Sequence, residues 1–347
     1  MPVVALHVHT RYSDGTGTPA EVRAAAAQAG IDVVWITDHD TLAARDDPAV
    51  GWRDGRLLLV GAEVTTRAGH LLVLGAPSLT DAGRDGVETA RAYRARGAAV
   101  FAAHPADRGN RLLGFGPYPW TAGRDALTGL EAWNHLSQWG AARDGLGRLL
   151  VRGRRPEAGT RCPDPAALAL WDAWSREGPM AAVAGVDAHG IRLGRGRWTV
   201  AVLPYAAAFR TVWTQVVLDR PLSGRVADDE QHLTAAVARG RALLVAGSGG
   251  RATGFQYEAE GPDGPAPMGS TVPWRPGLTL VARAPTAVEW VWVADGRPVS
   301  SERGRASRFV VAHPGVYRVA AGRLGPRGVL PWVYANAIRV VEPSAPG

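Results

Sequence analysis

At 347 residues and 46% hydrophobic content the chain is too long for one ordinary domain and too apolar for a disordered one, so a large domain with a smaller companion is expected. Its single cysteine, Cys162, excludes a disulfide framework and any multi-cysteine zinc site, which leaves histidine and carboxylate for metal binding and fits a reducing compartment. The formal charge of +7 does not by itself imply a nucleic-acid partner, because the basic residues are all arginine in an Ala/Gly/Pro-rich background and no compact basic run is interleaved with aromatics.

Met1-Pro2-Val3-Val4-Ala5-Leu6 leads straight into His7 with no basic start, long apolar run or cleavage site. No stretch reaches the ~18 uninterrupted apolar residues of a membrane helix. A soluble, cytoplasmic protein is therefore expected. From residue 1 to about 245, short apolar runs alternate with helix-like segments, the pattern of repeated βα units around a mostly parallel sheet or barrel. Strands are expected at Val3–Leu6, Val33–Ile36, Leu57–Val60, His70–Leu74, Ala98–Phe101 and Met180–Ala184. Helices are expected at Pro19–Ala29, with Thr18 as N-cap and Gly30 as the stop, at Asp85–Arg96, at Pro165–Arg176 and at about Asp228–Arg239.

Two long loops, Pro105–Trp120 and Arg143–Pro165, are rich in Gly, Pro and Arg and are expected to wall a pocket. The second carries Arg148, Arg152, Arg154, Arg155 and Arg161, and reads equally well as an anion-binding lid or a solvated excursion. Ala246-Gly247-Ser248-Gly249-Gly250 marks a change of texture and serves as a hinge; no Gly-Lys-Ser/Thr follows it, so it is not a phosphate-binding loop. This divides the chain into 1–247 and 248–347. In the second part, Leu278–Ala282, Ala287–Val293, Phe309–Val311 and Gly315–Val319, with a turn at Asp295-Gly296, suggest a small antiparallel sandwich whose Trp290 and Trp292 are core. That part reads as a structural cap or as a carbohydrate- or partner-binding module.

The chemistry-bearing residues gather at strand ends. His7 and His9, two apart at the end of the first strand, can project from one face and grip one ion, and Asp187-Ala188-His189 repeats that spacing at the end of a late strand. Between them lie Asp14, Asp38-His39-Asp40, Glu63, His70 and His104. In a barrel of parallel strands these positions converge on one mouth. Six of the nine histidines occupy them, and burying so many titratable groups without a cation costs several kcal/mol each. His232 and His313 fall outside the cluster.

His7-Val8-His9-Thr10-Arg11-Tyr12-Ser13-Asp14-Gly15, Thr37-Asp38-His39-Asp40, Gly61-Ala62-Glu63, Ala103-His104-Pro105 and Gly185-Val186-Asp187-Ala188-His189 resemble the ordered motifs of the PHP (polymerase and histidinol phosphatase) family. The resemblance implies a distorted (β/α)7 TIM-like barrel of the α/β class, two or three divalent ions (Zn, Mn or Fe), and hydrolysis of phosphate esters in most characterised members. It implies that His7, His9, Glu63 and Asp187 hold a first ion. Glu63 would bridge to a second ion bound also by His104, and Asp14, His39 and His189 would hold a third. The remaining ligand of the second ion is either His70 or a residue of the Asn134-His135 region. Glu63-Val64-Thr65-Thr66 with Gly69-His70, Glu131-Ala132-Trp133-Asn134 and the C-terminal β segment are similar to the CehA/McbA-like branch, some of whose members hydrolyse carbamate esters.

The implied mechanism places two ions about 3.5 to 4 Å apart, lowering the pKa of a bridging water and supplying hydroxide as nucleophile, so that Glu63, Asp187 and His104 act through the ions. Arg11 and Arg108 are candidate anchors for an anionic group, and Asp38 or Asp40 for orienting His39. The leading expectation is a phosphoesterase acting on a small phosphorylated metabolite or nucleotide. The alternatives are a carboxyl or carbamate ester hydrolase using the same ions and a non-catalytic accessory module. The expected partner is a small, anionic substrate, with no membrane and no nucleic acid beyond a nucleotide or oligonucleotide substrate; metal identity and oligomeric state are left open.

Overall fold

The computed structural model describes residues 1–80, 84–109, 116–141, 162–194, 199–262, 264–325 and 328–343. Arg148, Arg152, Arg154, Arg155 and Arg161 of the second expected loop lie outside the described residues. Strands β1 to β9 cover Val3–Val8, Val33–Ile36, Gly51–Arg53, Arg56–Val60, Ala62–Thr66, Gly69–Leu74, Ala99–Ala102, Gly129–Asn134 and Ala181–Ala188. The short pair β10 (Ile191–Leu193) and β11 (Val200–Leu203) follows, then β12 (Val212–Val216) and β13 (Ala242–Ala246). Helices are α1 (Pro19–Ala29), α2 (Gly86–Ala95), α3 (His135–Ala141), α4 (Pro165–Glu177), the single turn α5 (Tyr205–Ala208) and α6 (Val226–Ala238). No helix among the described residues is long and apolar enough to cross a membrane.

Local chemistry fixes several of these ends. At α1 the Thr18 side chain accepts from the Glu21 amide while the Glu21 side chain accepts from the Thr18 amide, Pro19 sits in the first turn, and Gly30 closes the helix in the left-handed region (φ 72). α2 and α4 start on Asp85 and Asp164, whose carboxylates accept amide hydrogen bonds of the first turn.

The strands pair along a path that returns to its start. β1–β2, β2–β4, β7–β8, β8–β9 and β9–β1 are parallel. β4 continues through Gly61 into β5, and β5–β6 and β6–β7 are antiparallel. Most of the path is parallel, as the repeated βα pattern predicts, and the departure from it falls at His70–Leu74. Only Arg67 and Ala68 separate β5 from β6, far fewer residues than a crossover helix needs, so β6 must double back. Val4, Leu6, Trp35, Leu59, Leu72 and Phe101, drawn from strands right round the path, pack in one buried cluster with Leu233 and Val237 of α6. Only the inner face of a closed ring brings such positions together.

The C-terminal strands are β14 (Gln256–Glu260), β15 (Ala266–Pro267), β16 (Thr271–Pro273), β17 (Thr279–Ala294), β18 (Arg297–Val310), β19 (Gly315–Gly325), β20 (Gly328–Ala335) and β21 (Ile338–Val341). The two strands expected at Leu278–Ala282 and Ala287–Val293 are one strand, β17, with a register shift between Arg283 and Val288. Asp295 and Gly296 both have positive φ (49° and 83°) and join β17 to β18 as a two-residue hairpin. Trp290 and Trp292 are buried in the core.

The Gly247–Gly249 segment is a short 3-10 turn, and pairing crosses it: β13 pairs with β12 on one side and with β20 on the other. Two buried polar links reinforce this seam. Arg318 of β19 donates twice to Asp172 of α4 (2.7 and 2.8 Å), and the Asn336 carboxamide bonds to backbone groups of Ala182 and Ala242.

Candidate metal centre

The carboxyl ends of β1, β2, β7, β8 and β9 meet at one end of the ring, and the backbone there is distorted where the candidate ligands sit. His7 (φ 68), His104 (φ 27) and Asp187 (φ 54) all adopt positive φ, which costs a non-glycine residue of order 1–3 kcal/mol. The register of β1 slips between Leu6 and Val8 against both β2 and β9. Simple strand alternation is thus interrupted at His7, and it is this bulge that turns His7 and His9 toward the same centre.

Glu63 is the hub. Its Oε1 lies 2.8 Å from His70 Nδ1 and 2.9 Å from His104 Nε2. Its Oε2 lies 2.9 Å from His7 Nε2, 3.0 Å from His9 Nε2 and 3.5 Å from His39 Nε2. Asp187 Oδ1 is 3.5 Å from both His7 Nε2 and His9 Nε2 and 3.4 Å from His189 Nδ1. Asp14 stands 3.2 Å from His189 Nε2, 3.4 Å from His9 Nδ1 and 3.7 Å from His39 Nε2. All nine side chains expected as ligands therefore lie in one cluster. Four overlapping groups form within it: His9, Asp14, His39 and His189; His7, His9 and Glu63; His7, His104 and Asp187; and His39, Glu63 and His70.

The donor set fits divalent metal. Two ligand atoms on one tetrahedral ion lie roughly 3.4 Å apart, close to the Asp187 and Asp14 spacings. Both ring nitrogens of the buried His9 make no hydrogen bond among the described residues, although carboxylates stand at 3.0 to 3.5 Å. At Glu63, Asp187, His9 and His104 the neighbouring charges override the burial that disfavours ionisation. Burial raises Glu63, but the His7 charge and hydrogen bonds from His104, His7 and His70 hold it well below the usual carboxylate range. Asp187 is lowered likewise against burial, chiefly by His7 and His9. Burial lowers His9 and His104, but their carboxylate partners push both up to about 9. Glu63 and Asp187 are thus held ionised beside His9 and His104, whose protons divalent cations can displace.

Other candidates from sequence fall elsewhere. The buried Asp38 carboxylate accepts from the Thr10 amide (2.7 Å), Thr10 Oγ1 (2.6 Å) and Ser13 Oγ (2.6 Å), so it braces the loop after β1 that carries His9 and Asp14. Asp40 accepts from the Thr65 amide (2.9 Å). Arg11 is exposed, with its guanidinium 6.0 Å from the centre of the Tyr12 ring, and Arg108 pairs with Asp164 at 3.4 Å. Neither lines the pocket above the cluster. His135 is fully buried at the start of α3, and burial drives it down to about 3. The Asn134 carboxamide donates to Glu131 (2.8 Å) and Asp187 (3.1 Å) and accepts from the Ser137 amide (2.8 Å). His232 pairs with Asp219, and His313 lies beside Tyr317.

Two residues were given no role in the sequence reading, Glu131 although its motif was quoted and Tyr205 altogether. Glu131 of β8, 1% exposed, accepts from His7 Nδ1 (2.9 Å), the His104 amide (2.7 Å) and Asn134, and so fixes the ring of His7 from behind. Its signal was a lone carboxylate inside an apolar strand, which must be buried and partnered. The Tyr205 hydroxyl lies 2.9 Å from the His9 carbonyl, 3.1 Å from the His189 carbonyl and 3.1 Å from the Gly17 amide, tying together the two segments that carry His9 and His189. Tyr205→Phe is expected to leave the fold intact while lowering metal occupancy at the Asp14, His39 and His189 group about 10- to 100-fold in affinity. Metal content measured against free-metal concentration checks this, and unchanged stoichiometry and affinity would refute it.

An open pocket of about 390 Å3 lies over the cluster, walled by Thr65, Asp107, Tyr118, Leu136 and Ser137. Tyr118 stacks on His70 with ring centres 5.0 Å apart. Among the described residues no arginine lines it.

No curated protein matches the chain. Among solved structures it is similar to a two-domain protein containing a predicted PHP-like metal-dependent phosphoesterase from Bacteroides vulgatus. That similarity has 15% identity and a TM-score of 0.46, covering 96% of this chain and 94% of that one. It is also similar to a candidate metal-dependent phosphoesterase from Bifidobacterium adolescentis, at 19% identity and a TM-score of 0.33, over 60% of this chain and 94% of that one. The segment that supplies His7, His9, Asp14, His39, Glu63 and His70 falls within residues 5–93, which match the family model of the PHP domain.

Proposed function

We propose that the chain is a metal-dependent hydrolase built on a distorted (β/α)7 barrel, and within that class a phosphoesterase acting on a small phosphorylated metabolite or nucleotide. The observation that carries this reading is the division of Glu63, with Oε1 turned to His70 and His104 and Oε2 to His7, His9 and His39. A carboxylate shared in this way suits a bridging ligand. The first ion would be held by His7, His9, Asp187 and Glu63, the second by Glu63, His104 and His70, and a third by Asp14, His39 and His189. Divalent ions bound there supply Lewis-acid polarisation of the scissile group and acidify water. Glu131 orients His7, Asp38 braces the Thr10–Asp14 loop, and Tyr118 over His70 forms one wall for the leaving group.

The PHP match over residues 5–93 supports phosphate as the group attacked. The absence of arginine from the described pocket lining favours a second reading, hydrolysis of an uncharged carboxyl or carbamate ester, to which the likeness to the CehA/McbA-like branch also points. Metal analysis of the purified chain, with assays on an aryl phosphate, an aryl phosphodiester and an aryl carbamate in added zinc or manganese, separates them. Two or more ions with phosphate turnover are expected. Turnover of the carbamate alone transfers the reading to the second class, and a chain without metal or metal-stimulated turnover is a binding module.

Protons and metal compete for the same nitrogens. In the metal-free fold His9 and His104 titrate at about 9, above their ordinary 6.5, so the stability they contribute is complete below pH 6.5 and is lost as pH rises through 9. Metal uptake at pH 7.5 is accordingly expected to release protons, and apparent affinity to fall about tenfold for each unit by which pH is lowered, per proton displaced. Calorimetry in buffers of different ionisation heats checks this; uptake without proton release would contradict it.

A further inference from the structure

A second concavity lies at the opposite end of the ring. Its walls include Thr128 and Ala181, at the starts of β8 and β9, whereas Asp187 of the metal cluster lies near the end of β9. The cavity has a volume of about 240 Å3 and presents Arg239, Arg339, Ser175 and Ser270. A neighbouring recess of about 260 Å3 shares Arg239 and adds Arg241. Arg241 donates to Ser270 Oγ (3.3 Å), Arg339 donates to the Ser175 carbonyl, and Arg124 donates to the Pro179 carbonyl (3.2 Å) in the same wall.

None of these four guanidinium groups forms an ion pair among the described residues. The carboxylate nearest in effect to Arg241, Asp219, is already engaged by His232 at 2.6 Å. Burial and then the adjacent Arg239 lower Arg241, opposed by Asp219 in the same recess, and burial and then Arg124 lower Arg339, opposed by Asp295. Ser175, which lines the cavity and is 3% exposed, has a hydroxyl with no hydrogen-bond partner among the described residues. Two guanidinium groups lining one small hollow, neither in an ion pair among the described residues, can donate together to an anion with several oxygens.

We infer that this hollow is a binding site for a small phosphate-bearing anion, distinct from the metal centre and held chiefly by Arg239 and Arg339. The ring interior between the two sites is filled by Val4, Leu6, Trp35 and Phe101 among others, so a ligand here does not reach the metal cluster and acts as an effector or an anchor, not as the substrate. The shared chemistry of inorganic phosphate, pyrophosphate and the phosphate chain of a nucleotide is what the site would recognise.

The test is calorimetric titration of the full metal-loaded chain with inorganic phosphate, pyrophosphate and a nucleoside triphosphate, repeated on Arg239→Glu, Arg239→Lys and Arg339→Gln. Any binding at the metal centre is common to all four proteins, so the difference reports the second site. We expect at least one of the three anions to bind with an affinity that falls tenfold or more in Arg239→Glu, less in Arg239→Lys, and with added salt; the tightest of the three identifies the source. Arg239 is exposed, so its variants keep the fold and the basal hydrolytic rate even where Arg339→Gln does not. Affinities equal within twofold in the parent and Arg239→Glu, or no binding by the parent, would overturn the assignment.

Discussion

Glu63→Gln is expected to empty the centre of metal and to lower kcat/KM by on the order of a thousandfold, about 4 kcal/mol of transition-state stabilisation. The amide keeps the shape of the side chain and removes only the charge and one acceptor. That charge is what faces five imidazoles, two through Oε1 and three through Oε2. Without it the two halves of the cluster lose their common ligand, and the remaining carboxylates, Asp187 and Asp14, both stand beside His9 and His189. The variant should still fold, because the imidazoles can discharge by losing protons. His9 and His104 owe part of their upward displacement to Glu63, so in the metal-free variant both should titrate nearer their ordinary range. The loss of stability expected of the parent as pH rises toward 9 should shrink accordingly. Metal content, turnover and thermal melts between pH 6 and 10 give the answer. Full metal content with full turnover would remove Glu63 from the centre and with it the bridging reading.

Much of the architecture was legible because it is written in local chemistry. The Thr18–Gly30 helix carries its start and stop in the residues themselves, and the Asp295-Gly296 hairpin needs two residues that tolerate positive φ. The reversal of β6 was also written there, in a connection of two residues too short for a crossover, but the apolar run His70–Leu74 reads the same in either direction. The two strands expected within β17 flank Ala284-Pro285-Thr286. Proline is tolerated within a strand at a bulge, and the register shift between Arg283 and Val288 spans it. The hinge at Gly247–Gly250 is a local turn, but the pairing of β13 with β20 joins residues some 90 positions apart, which no local pattern announces.

For the site, sequence spacing located the ligand positions but not the side chains that hold them. Asp38 and Asp187 both follow apolar strands and look equivalent. What separates them is that Thr10 and Ser13 occupy the carboxylate of Asp38, a contact made across 25 to 28 residues. His135 has the residue type and strand-end position of a ligand, yet it points into the core, while its neighbour Glu131 supports the centre. Neither outcome can be read from spacing, because each depends on which face of β8 looks toward His7.

Gly185→Ala should show how tightly that support is built. A Cβ at this position of β9 would fall 1.6 Å from Glu131 Oε1 and 3.0 Å from His7 Cβ, so one of them has to move. Glu131 cannot turn away cheaply, since it is buried and receives hydrogen bonds from His7 Nδ1, the His104 amide and Asn134 Nδ2. Expelling it leaves those three donors unpaired, and shifting β9 instead displaces Asp187, two residues along. Either route misplaces a ligand that the strained backbone of His7, His104 or Asp187 holds in place. We expect metal affinity to fall roughly 10- to 100-fold and the melting temperature of the metal-free chain to drop by roughly 5 °C or more, the cost of overpacking. The double variant Gly185→Ala, Glu131→Ala separates the two effects. Removing the carboxylate opens space for the new methyl group, so thermal stability should partly recover, whereas metal affinity should not, because His7 still lacks the acceptor that orients it. Recovery of both would reduce Glu131 to a space-filling residue, and recovery of neither would place the strain in the β9 backbone itself.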